Sequence, residues 1–133
     1  MIVKVVDRVE SYKEAIKLSC DILEANGDID GKYYEAIIGK INEFGPYFCL
    51  TEGVCMPHAR PEDGVKSSNL CVLKLNEPVD FLGKNISVFF TLSAVDSSSH
   101  VETLRKIAEV CMNGEKLNLI INSKNENEIQ EVI

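Results

Sequence analysis

Ile86-Ser87-Val88-Phe89-Phe90-Thr91-Leu92 is the stretch on which the fold class turns. Nearly every residue is apolar or β-branched, which reads as a central strand buried on both faces. A strand of that kind needs helices above and below the sheet. Its flanks supply them. On the C-terminal side the polar loop Asp96-Ser97-Ser98-Ser99 leads into a helix carrying Val101, Leu104, Ile107, Ala108 and Cys111, ended by Asn113-Gly114. Leu117-Asn118-Leu119-Ile120-Ile121 then reads as another core strand, and residues 125–133 begin a last amphipathic helix. No helix-ending signal follows, so that helix is either short or incomplete at Ile133.

Going the other way, Leu70-Cys71-Val72-Leu73-Lys74-Leu75 is a strand that Asn76-Glu77-Pro78 stops. Tyr47-Phe48-Cys49-Leu50 and Gly53-Val54-Cys55-Met56 are short extended pieces around a Thr51-Glu52 turn. Ser11-Tyr12-Lys13-Glu14 is a capping box, followed by Ala15, Ile16, Ile22, Leu23 and Ala25 at helical spacing and by Asn26-Gly27 as a stop. Asp30 is expected to cap a second helix with Tyr34, Ile37, Ile38, Ile41 and Phe44, closed by Gly45-Pro46. Strands alternating with helices predict one α/β domain over residues 1–133, a mixed β-sheet sandwiched between α-helices.

Composition narrows the partners. A net charge of −7 argues against nucleic acid and against anionic lipid, both of which need a cationic face. The start, Met1-Ile2-Val3-Lys4-Val5-Val6-Asp7, is too briefly apolar for a signal segment, and the apolar runs are far below membrane-spanning length. Direct membrane insertion is therefore not expected, and a cytoplasmic location is. Cys20, Cys49, Cys55, Cys71 and Cys111 have no ligand spacing and read as reduced core thiols.

The unusual segment is Gly53-Val54-Cys55-Met56-Pro57-His58-Ala59-Arg60-Pro61-Glu62-Asp63-Gly64-Val65. A strand runs into Pro57, and two prolines bracket the three residues His58 to Arg60, so His58 should be presented on stiff backbone. A neutral imidazole can take a phosphoryl group by in-line attack, given a nearby cation or oriented N–H donors and a group that holds its other nitrogen. Arg60 is a natural phosphate fork two residues away. Ser99-His100-Val101-Glu102 reads as a second capping box that puts His100 in the first turn of its helix, where N–H groups favour anions. Plainer readings stand beside these. His58 could be a surface histidine, Arg60 with Glu62 and Asp63 an exposed ion-pair cluster, and His100 an ordinary helix-start residue. Zinc fits poorly, since no ligand-spaced pair exists. Taken by themselves, the residues reach only an α/β domain with a suspicious histidine.

Residues 53–65 resemble the active-site segment of the mannitol–fructose type enzyme IIA family of bacterial sugar phosphotransferase systems. The form Met56-Pro57-His58-Ala59-Arg60-Pro61-Glu62-Asp63-Gly64-Val65 is most similar to the ascorbate-type branch, and the order of elements follows the family over nearly the whole chain. The resemblance implies a relay without a cofactor. His58 would accept phosphate on Nε2 from the phosphocarrier HPr and pass it to a cysteine of a cognate enzyme IIB, which serves a membrane enzyme IIC. His100 matches the family's second active-site histidine. Mannitol-type members carry an arginine upstream where this chain has Asn42-Glu43-Phe44, so Arg60 is expected to take over charge compensation. Two other readings stay open: a regulatory enzyme IIA-like domain whose phosphorylation signals to a partner, and a ligand- or metal-binding domain without phosphotransfer.

Overall fold

Five strands and five helices make up the chain, and the computed structural model describes residues 1–133. The sheet runs β1 (Ile2–Val6), β4 (Asn69–Phe81), β5 (Lys84–Ser93), β3 (Val54–Cys55), β2 (Cys49–Thr51). The β1–β4 and β3–β5 pairs are parallel, whereas β4–β5 and β2–β3 are antiparallel, so the sheet is mixed as expected. α1 (Tyr12–Ala25) and α2 (Lys32–Phe44) cover one face, their apolar stripes meeting Cys71, Leu73, Phe81 and Phe89. α3 (Val101–Met112), α4 (Gly114–Asn122) and α5 (Glu126–Val132) cover the other, against Val72, Val88, Phe90 and Leu92. β5 thus feeds side chains to both clusters, which is why its sequence is apolar at nearly every position.

Three elements differ from the sequence reading. Residues 117–121 are not a strand but lie in α4. The edge beside β4 that such a strand would need is taken by β1, a strand the sequence reading overlooked. Asn113 is at once the last cap of α3 and the first of α4, its side chain accepting from the N–H groups of Glu115 and Lys116 at 3.1 and 3.2 Å. With the helix so started, Leu117, Ile120 and Ile121 face the core at helical spacing.

β4 also runs through Pro78 to Phe81. The β4–β5 register shifts between Lys74 and Val79, so Pro78 sits where the ladder is already irregular and its missing N–H costs nothing there. The hairpin closes on Leu82 and Gly83, both at positive φ, as a two-residue turn requires.

Caps differ in detail. Ser11 does accept from Glu14 N–H, but the Glu14 carboxylate reaches one residue further back, to Glu10 N–H at 2.7 Å. Gly31, not Asp30, is the cap of α2; Asp30 accepts instead from Lys32 N–H at 2.9 Å. His100, not Ser99, occupies the cap position of α3, and it makes no side-chain cap bond.

Candidate functional site

His58 follows the buried Pro57 just beyond β3, and backbone and side-chain bonds fix the segment to the end of β5. Leu92 N–H donates to Pro57 O at 3.1 Å, and Met56 N–H donates to Phe48 O at 2.9 Å. Tyr33, wholly buried at the start of α2, joins the two chains again. Its hydroxyl accepts from Ala59 N–H at 2.9 Å and donates to Leu92 O at 2.5 Å. Burial pushes the phenol above its ordinary range, which keeps it a donor at all working pH. The residue after His58 is therefore tied by hydrogen bonds to the end of β5.

The ring itself is held on two sides. Nδ1 donates to Met56 O at 2.8 Å, and Phe48 packs at 5.1 Å between ring centroids, tilted by 59°. A carbonyl can only accept, so in the neutral ring the proton lies on Nδ1 and the lone pair on Nε2. Such an imidazole is nucleophilic at one defined nitrogen.

His58 and His100 border one cleft of about 270 Å³, together with Tyr33, Arg60, Leu92 and Asp96. The fold therefore brings together two histidines 42 residues apart in sequence. Arg60 lies at its edge and is exposed, with Nε 3.4 Å from Glu62 and 3.5 Å from Asp63. Those pairs belong to the 3₁₀ turn Pro61–Asp63, which Gly64 closes at φ +119°.

The loop ahead of His100 is built on Asp96. Its carboxylate accepts from Ser99 N–H at 2.7 Å and from Ser98 N–H and Oγ at 3.0 Å, and these bonds, Ser99 N–H foremost, hold it below the usual carboxylate range. The Asp96 carbonyl accepts from His100 Nδ1 at 3.0 Å, which leaves Nε2 of His100 unused. Ser68, the residue before β4, steadies the loop, accepting from Val95 N–H and sharing a 2.9 Å bond with the Ser99 hydroxyl.

Behind Ser68 is a buried carboxylate with no cationic partner. Asp28 accepts from Ser67 Oγ at 2.6 Å, Asn69 Nδ2 at 2.8 Å and Asn26 Nδ2 at 2.9 Å. Burial alone would raise it; the three hydrogen bonds, with a smaller pull from the N-terminal ammonium, outweigh burial and hold it below its ordinary value. Tyr33 was absent from the sequence reading, although it stands four and eight residues before Ile37 and Ile41 on the buried stripe, where a hydroxyl needs a partner. Asp28 and Ser68 carry no comparable signal, because isolated loop polars look alike until the loops are placed.

The family described as "Phosphoenolpyruvate-dependent sugar phosphotransferase system, EIIA 2" matches residues 2–133. The ascorbate-specific PTS system EIIA component of Escherichia coli K12 is 31% identical over 128 residues, covering 93% of this chain and 83% of that protein. Among solved structures, the mannitol-specific cryptic phosphotransferase enzyme IIA of Escherichia coli superposes with a TM-score of 0.89 at 30% identity, over 98% of this chain and 90% of the other. The enzyme IIAMTL–phosphorylated enzyme IIBMTL complex from Escherichia coli matches with a TM-score of 0.79 at 15% identity, over 98% and 97% of the chains, a likeness of fold alone. With the family's match running from residue 2 to residue 133, the chain belongs to the EIIA type 2 family and is a phosphoryl-transfer relay component of the phosphotransferase system.

Proposed function

We propose that His58 is the relay residue, accepting a phosphoryl group on Nε2 from a phosphohistidine of HPr and passing it to a cysteine of a cognate enzyme IIB. The observation that carries this reading is the 2.8 Å bond from His58 Nδ1 to Met56 O, made by a ring that borders a cleft shared with His100. In the first transfer the Nε2 lone pair attacks phosphorus in line, and the bond from phosphorus to the donor imidazole breaks. The phosphorylated ring keeps its Nδ1 proton and becomes more positive, which strengthens its bond to Met56 O. In the second transfer a thiolate attacks phosphorus and the electron pair returns to Nε2.

His100 stabilises the transferred group. Its Nδ1 is committed to Asp96 O, so a protonated ring has Nε2–H to give to a phosphoryl oxygen. Arg60 balances charge: it swings from Glu62 and Asp63, which hold it at 3.4 and 3.5 Å on the surface, toward the cleft it already borders. The 31% identity to an ascorbate-specific component supports an ascorbate-type system, with enzyme IIC reached only through enzyme IIB. No helix is long and apolar enough to cross a membrane, in keeping with a component that works on the cytoplasmic side.

Incubation with enzyme I, HPr and phosphoenolpyruvate, followed by intact mass measurement, tests the assignment. Wild type gains one acid-labile phosphoryl group and His58→Ala gains none. A His58→Ala protein that is still phosphorylated refutes the site. An Arg60→Ala protein phosphorylated at the wild-type rate refutes the role of the guanidinium.

A further inference from the structure

The spacing of the cysteines gives no reason to pair any of them, but the sheet does. Cys49 and Cys55 are direct partners across the antiparallel β2–β3 ladder. Because Met56 N–H donates to Phe48 O, Phe48 and Met56 form a hydrogen-bonded pair and the adjacent Cys49 and Cys55 a non-hydrogen-bonded one. Cα atoms at such positions lie about 4.5 Å apart, their side chains at closest approach. A disulfide accepts Cα separations of roughly 4.4–6.8 Å. Both side chains also pack into the same cluster, beneath α1 and α2.

The two thiols differ in access. Cys49 is half-buried and borders an open cleft with Lys84 and Glu52, whereas Cys55 is wholly buried behind it. Burial raises both thiols; Lys84 pulls Cys49 back, while Cys55 stands well above the ordinary thiol range. The chain neighbours of the pair matter as much. Phe48 packs on the His58 ring, and Met56 O accepts its Nδ1–H. Each of the two groups that hold His58 is thus one residue from one of these thiols.

We propose that Cys49 and Cys55 are an oxidation site that forms a reversible cross-strand disulfide with a hydroperoxide as oxidant. The Cys49 thiolate attacks the O–O bond, giving a sulfenic acid and, with hydrogen peroxide, one water. The Cys55 sulfur then attacks the Cys49 sulfur, the S–O bond breaks and a second water leaves. Two thiols lose two electrons and two protons, and one peroxide is reduced to two waters. A dithiol reverses the step by exchange. A separation of about 4.5 Å is at the short end of the disulfide range, so the bond spreads β2 from β3 and displaces Phe48 and Met56 O, and oxidation slows phosphoryl uptake; this last consequence rests on the proposed role of His58.

The test treats the folded, reduced protein with dilute hydrogen peroxide, alkylates the remaining thiols and measures intact mass and peptide maps. Expected are the loss of two hydrogens, a cross-linked peptide joining positions 49 and 55, faster reaction as pH rises, and full reversal by dithiothreitol. Cys20 and Cys71, 3% and 0% exposed, stay reduced. Cys49→Ser forms no disulfide, and Cys55→Ala yields a sulfenic acid at Cys49 that dimedone traps. The wild-type mass and map stand whether or not a variant folds. An unchanged wild-type mass, or a disulfide elsewhere, overturns the site. With phospho-HPr as donor, the oxidised protein is expected to be phosphorylated several-fold more slowly and to recover on reduction. An equal rate overturns the coupling. Failure of even the reduced protein to be phosphorylated would count against His58 as relay and leave the disulfide measurement intact.

Discussion

Tyr33→Phe removes one oxygen and leaves the ring in place, so it isolates the hydroxyl that joins Ala59 to Leu92. The phenol is wholly buried and Leu92 is 4% exposed, so water cannot readily replace what is lost. A buried group left without its partner costs about 1–3 kcal/mol, and a hydrogen bond contributes about 1 kcal/mol net. Leu92 O loses its tyrosine donor outright, while Ala59 N–H is half-buried and regains part of its bonding from solvent. The expected loss is about 2 kcal/mol, read as a shift of the urea midpoint at constant slope or a fall of about 6–10 °C in melting temperature. The Leu92 N–H to Pro57 O bond still anchors the strand exit, so the variant folds. His58 loses its tether on the C-terminal side, and phosphorylation by phospho-HPr is expected to slow about tenfold, a modest part of what a 1 Å misplacement can cost. The two readouts separate the claims. A variant destabilised as expected but phosphorylated at the wild-type rate would show that Tyr33 supports the fold and not the histidine; an unchanged urea midpoint would refute the hydrogen-bond reasoning itself.

Other outcomes follow from the same geometry. His100→Gln keeps an N–H donor near the position of Nε2 and should retain much of the phosphohistidine lifetime, whereas His100→Phe should shorten it at least tenfold, measured as acid-labile phosphate over time. Gly64→Ala places a methyl group against the Asp30 carboxylate at a φ of +119°, and should cost about 1–3 kcal/mol in urea unfolding. Asp28 is depressed in the folded state, so its contribution to stability is complete above the ordinary carboxylate pKa near 3.8 and disappears as pH falls through the lower folded value. Urea midpoints of Asp28→Asn should therefore lie below wild type at pH 7 and converge on it in acid; a constant gap across pH would contradict the linkage.

The sheet and its two helical layers could be read from β5 and the two N-terminal helices, because burial on both faces leaves a run that only Ser87 and Thr91 vary. Residues 117–121 misled for the same reason: a short apolar run looks alike in a strand and in a buried helix turn, and only Asn113 and the occupied edge beside β4 decide between them. β1 escaped notice because its side chains are only half-buried and Lys4 interrupts them. At the site, His58 and Arg60 stood out through the two prolines around them, and the tautomer of His58 then required the position of Met56 O. The meeting of His58 with His100 depends on β3 lying beside β5, a tertiary fact with no local trace. Tyr33 could have been found by asking where a hydroxyl on a buried stripe bonds.

Asp28 has a further consequence, for ionic strength. Its charge is held mainly by three neutral donors at hydrogen-bond distance, with a smaller pull from the N-terminal ammonium, so added salt has little to screen. The Arg60 pairs are the opposite case: Arg60 and Glu62 are exposed, both pairs are longer than 3.3 Å, and salt weakens them directly. The scaffold beneath the cleft and the charged edge above it should therefore respond to different variables. Unfolding should vary little between low and physiological salt, while the rate of exchange with a phosphorylated partner shifts.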